Sequence, residues 1–69
     1  MNVLKVARAK KDMTMSDLAD KMNVKRQAIS AWENGKSKPS IQKVMDLHRF
    51  LDIPLDDLME FFNNQNQEE

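Results

Sequence analysis

Sixty-nine residues allow one domain with a modest core, and a chain of this size buries only about 60% of its surface on folding. The absence of cysteine excludes disulfides, thiolate metal sites and a cysteine nucleophile, and the single histidine, His48, cannot assemble a metal site alone. Net charge is zero but polarised: all eleven Lys and Arg lie within residues 1–49, which carry +6, whereas residues 50–69 hold six acids and no base.

Val3, Leu4 and Ala7 share one side of a first predicted helix, which fades at Lys11–Asp12. A second starts at Thr14, where Thr14 and Asp17 have capping-box spacing, and Leu18, Ala19 and Met22 form its apolar face. Asn23 then offers the left-handed backbone that a sharp helix exit requires. The third helix is predicted from about Lys25 to Glu33, with Ile29 and Trp32 inward and Gly35 as its stop. Ser40 caps a fourth, whose expected apolar stripe is Ile41, Val44, Met45, His48 and Leu51. Pro54 opens a fifth, with Asp56, Asp57 and Glu60 suited to the helix dipole and Leu55, Leu58, Met59 and Phe62 on its apolar side. The expected domain is 1–62, all-α and five-helical, followed by an acidic polar tail over 63–69 that is expected to be disordered.

The second and third helices have the spacing of a helix-turn-helix. A small residue is needed where the helices cross, a residue tolerant of positive φ at the turn, and a branched apolar anchor in the second helix. Ala19, Asn23 with Val24, and Ile29 meet those demands at the right intervals. The run MTMSDLADKMNVKRQAISAWENGKSKPS, continued by LDIPLDDLM, resembles the lambda-repressor/Cro-like helix-turn-helix family, also called the xenobiotic-response-element family, over roughly residues 3–60. The resemblance implies a compact five-helix regulator of transcription that binds operator DNA as a dimer. It also implies an ion pair between Arg8 and Glu33. Met15 stands where the family usually has a phosphate-touching Gln, Asn23 replaces the turn glycine, and His48 replaces a small residue.

Opposite Ile29 and Trp32, helical spacing exposes one face of the third helix. Arg26 and Gln27 match the family's base-contacting positions; Arg can bond guanine O6 and N7, and Gln adenine N6 and N7. Lys25 and Ser30 complete the expected base-contacting set. Asn34, Lys36, Lys38 and Lys43 are the expected phosphate contacts, joined by Thr14 and Met15 through the backbone N–H groups that open helix two. A helical domain this small can bury one or two of Phe50, Phe61 and Phe62 but not all three together with Met59, so Phe50, Leu55, Met59, Phe61 and Phe62 are the expected homodimer interface through helix five; the alternative is that the phenylalanines close the monomer's own core. The partner is double-stranded DNA, and the expected role is repression at an inverted repeat; the alternative is a protein-interaction module such as an antitoxin or antirepressor partner. No nucleophile–base pair, carboxylate dyad, metal cluster or glycine-rich phosphate loop is present, so neither an enzyme nor a cofactor is expected. No run approaches the roughly 18 apolar residues of a membrane span, and no signal peptide is evident, so the expected location is cytoplasmic.

Overall fold

Helix entries and exits shape this chain, because short helices hold their ends only where the orphan backbone groups find partners. In the computed structural model, which describes residues 2–65, five helices follow in order: α1 (Val3–Lys10), α2 (Met15–Met22), α3 (Arg26–Glu33), α4 (Ile41–Leu51) and α5 (Leu55–Gln65). Asn2 caps α1 by accepting the Lys5 N–H at 3.1 Å, and Ser40 caps α4 by accepting that of Lys43 at 3.3 Å. At α2 the capping box is complete: Thr14 Oγ1 accepts the Asp17 N–H, and the Asp17 carboxylate accepts the Thr14 N–H. The Pro54 carbonyl accepts the Asp57 and Leu58 N–H groups at the entry to α5.

Four exits pass through the left-handed region, at Asp12, Asn23, Gly35 and Asp52. Three of them close with the paired bonds of a Schellman motif. Met13 and Asp12 donate to Arg8 and Ala9, Val24 and Asn23 to Ala19 and Asp20, and Lys36 and Gly35 to Ala31 and Trp32.

Each helix sends one fully buried side chain to the centre: Leu4, Leu18, Ile29, Leu47 and Leu58. Around them lie Ala19, Met22, Trp32, Val44, Leu51, Ile53, Phe61 and Phe62. α2 packs on α3, while α1 packs on both α4 and α5. Among the described residues no helix is long and apolar enough to cross a membrane.

Three expectations need correction. The buried face of α4 is Val44, Leu47 and Leu51, whereas Ile41 is 67% exposed and Met45 is also exposed. His48 is half-buried at the edge of this face, where its Nδ1–H donates to the Ile53 carbonyl at 2.7 Å and braces the α4–α5 turn. Phe61 and Phe62, expected at a dimer surface, are 7% and 5% exposed and meet edge to face at 5.2 Å. They fill the chain's own core because α5 folds back over α4 and α1. Finally, α5 continues to Gln65, three residues past the expected boundary at 62; the rest of the expected tail, 66–69, lies outside the described residues.

Candidate nucleic-acid interface

The α2–α3 pair is held by the features its spacing required. Ala19 is buried, Asn23 takes φ 59° and ψ 46°, and Ile29 is fully buried. With Ile29 and Trp32 committed to the core, Lys25, Arg26 and Gln27 stand exposed at the start of α3, and Ser30 is half-buried one turn on. Lys25 occupies the N-cap position, where its donor-only ammonium makes no cap bond. The Asn34 carboxamide donates to Ser30 Oγ at 3.3 Å, joining two of the expected contact residues along one edge. Past the glycine exit, Lys36 and Lys38 are exposed.

The start of α2 is more crowded than the sequence implies. Met15 is half-buried and packs on the core instead of reaching outward. The Thr14 backbone N–H, and then the Thr14 hydroxyl, hold the Asp17 carboxyl below the ordinary carboxylate value. A negative charge therefore sits at this helix start, leaving the N–H groups of Met15 and Ser16 without intrahelical acceptors. Lys43 is half-buried, its ammonium donating to the Met22 carbonyl at 3.2 Å.

Behind the exposed face lies a latch. Arg8 Nε donates to Glu33 Oε2 at 2.7 Å and Nη2 to Oε1 at 3.3 Å, while Nη1 donates to the Met13 carbonyl at 2.8 Å. Asn2 Nδ2 adds a bond to the Glu33 backbone carbonyl at 2.8 Å. The final residue of α3 is thus gripped by α1 through side chain and backbone together. The Asn2 bond was missed from the sequence; its one readable signal was an Asn preceding an apolar helical run. A second missed contact, Lys11 Nζ to Asp52 Oδ2 at 2.8 Å, holds the Asp52 carboxyl below its ordinary value and ties the end of α1 to the end of α4.

The residues expected at a dimer surface do not form one exposed face. Phe61 and Phe62 are internal, Leu55 is half-buried against the core, and Phe50 is half-buried beneath the Lys21 and Arg49 cations at 5.5 and 5.7 Å. Met59 alone is open, at 45% exposure. It borders a shallow groove of about 170 Å³ with Ile41 and Lys38, floored by Val44 and Phe62.

The family profile described as Helix-turn-helix matches residues 4–58. An uncharacterised HTH-type transcriptional regulator of Methanocaldococcus jannaschii is 39% identical over 57 residues, covering 83% of this chain and 86% of the relative. The HTH-type transcriptional activator BcrR of Enterococcus faecalis is 34% identical over 56 residues, 81% of this chain and 28% of its own length. The uncharacterised HTH-type transcriptional regulator YqaE of Bacillus subtilis is 32% identical over 62 residues, 90% of this chain and 53% of its own. The chain therefore spans a little over a quarter of one relative and about half of another. No solved structure matches.

Proposed function

The chain belongs to the helix-turn-helix family of DNA-binding transcriptional regulators, whose members are regulators and not enzymes, and on that footing we propose that it represses transcription by reading an inverted-repeat operator as a homodimer. The observation that carries this reading is the division of α3: Ile29 and Trp32 anchor it in the core, and Arg26 and Gln27 project from its exposed start. An α-helix fits the major groove, where those two side chains can discriminate guanine and adenine edges. Lys25 and Ser30 flank them. Lys36, Lys38 and Asn34, with the free N–H groups at the start of α2, set the docking by contacting phosphates.

The dimer is assigned to the surface around the groove that Ile41 and Met59 share, with Met45 one turn along α4 from Ile41, in place of the buried phenylalanines. Ile41 opens α4 three residues after Lys38, so a dimer joined here lies close in the chain to the loop assigned to phosphate contact. The domain measures 31 × 23 × 22 Å, of the order of the roughly 34–36 Å between successive major grooves. Repression needs only occupancy of a promoter, which a DNA-reading head provides; activation, the role named for BcrR, needs a further contact with the transcription machinery.

The test is selection of binding sites from random DNA, run beside the Arg26→Ala/Gln27→Ala variant. The expected outcome is an inverted repeat enriched by the wild type and relaxed or lost in the variant. No enrichment at any protein concentration would overturn the reading and favour the protein-interaction alternative.

A further inference from the structure

The sequence places Lys43 among the phosphate contacts, but the structure gives its ammonium a different acceptor. The bond to the Met22 carbonyl is partly buried and joins residues 21 positions apart. Near the end of α2 the Ala19 and Asp20 carbonyls are taken by the Val24 and Asn23 N–H groups. Lys43 supplies the donor for Met22, at the negative end of the helix dipole, where a cation is favoured.

The peptide it holds is the one leading into Asn23, the left-handed corner between α2 and α3. Within four residues the chain becomes Lys25, Arg26 and Gln27. Lys43 is itself fixed, since its own N–H donates to Ser40 Oγ in the first turn of α4. A side chain anchored in α4 thus grips the hinge peptide of the reading head. An ammonium bonded to a carbonyl and half-buried displaces few counterions from DNA, whereas a phosphate contact releases them and steepens the salt dependence.

We infer that Lys43 is a positioning residue: it fixes the plane of the Met22–Asn23 peptide and thereby the angle at which α3 presents Arg26 and Gln27. The inference rests on the DNA-reading function proposed above. Its consequence falls on discrimination between sites and not on general attraction to DNA.

The experiment compares wild type, Lys43→Met, Lys43→Arg and Lys36→Met, all well below their melting temperatures. Affinity for the selected site and for random duplex is measured across a salt series, and the Met22 carbonyl carbon is followed by NMR in the free protein. Lys43→Met is expected to lower the specific-to-random ratio about fivefold or more, the low end of one base pair's discrimination. Its salt slope should stay unchanged, the Met22 carbonyl resonance should move, and Lys43→Arg should restore the ratio. Lys36→Met should instead flatten the slope by about 0.9 and weaken both affinities alike. General destabilisation would not change the ratio. A Lys43→Met slope reduced like that of Lys36→Met, an unchanged ratio, or a Met22 resonance that does not respond would each overturn the inference. A wild type that selects no site is a separate failure, visible before any variant is made; it removes the proposed function and this inference with it.

Discussion

Glu33 is an ionisable side chain with 1% exposure, and it survives there because three polar atoms of Arg8 and Asn2 converge on its residue. A buried ion pair adds little net stability over apolar packing, but removing one partner leaves an uncompensated charge. Arg8→Met is therefore expected to cost about 3–5 kcal/mol, a large share of the stability of so small a domain. The Arg8→Met/Glu33→Met double variant should regain most of it. Urea unfolding of both proteins checks this; a double variant as unstable as the single one would show that the Met13 bond or local packing dominates. Arg8 and Glu33 could be paired in advance only through the family resemblance. Nothing in the spacing of two residues 25 apart announces a contact.

At the scale of helices, the punctuation was legible and the phase of α4 was not. Thr14 with Asp17, Asn23, Gly35 and Ser40 all act through their own backbone neighbours, so local residue chemistry reveals them. In α4, reading His48 as apolar and passing over Leu47 rotated the expected stripe toward Ile41 and Met45. Periodicity alone cannot correct such an error when a half-polar ring lies at the edge of the buried face. The first helix was expected to fade at Lys11–Asp12, but the left-handed backbone of Asp12 and Asp52 went unread, because Asp signals positive φ more weakly than Asn or Gly does. Asp12 is exposed at φ 56°, a conformation that costs an L-residue more than glycine. Asp12→Gly is expected to gain up to about 1 kcal/mol, since the left-handed strain relieved exceeds the entropy glycine adds to the unfolded chain. Thermal melts decide it, and a lower melting temperature would mean the Asp12 side chain has a stabilising partner of its own.

For the whole molecule, the question raised by surplus phenylalanines is answered by topology. α5 turns back across α1 and α4, so Phe61 and Phe62 close the core, and among the described residues the large apolar side chains left exposed are Val6 on α1, Ile41 and Met45 on α4, and Met59 on α5. Ile41, Met45 and Met59 are contributed by two helices whose relative placement no single-helix pattern contains. For the proposed dimer, Ile41→Lys combined with Met59→Lys is expected to yield a monomer with folding stability changed by only about 0.5 kcal/mol, as for other surface substitutions. Affinity for a full inverted repeat should fall while affinity for a half-site is kept. Sedimentation and titration with both DNAs read this, and a double variant that still dimerises would move the interface elsewhere.

The exit of α3 carries a consequence for the protein's chemical lifetime. Asn34 precedes Gly35, a pairing prone to spontaneous deamidation because the glycine nitrogen can close a five-membered imide on the neighbouring carboxamide. Here both reacting groups are restrained: the carboxamide is bonded to Ser30 Oγ, and the Gly35 N–H points to the Trp32 carbonyl. Ageing at this site therefore waits on opening of the helix end. It would add a negative charge beside Lys36 and Lys38, so a mass drift during storage should track a fading attraction for DNA.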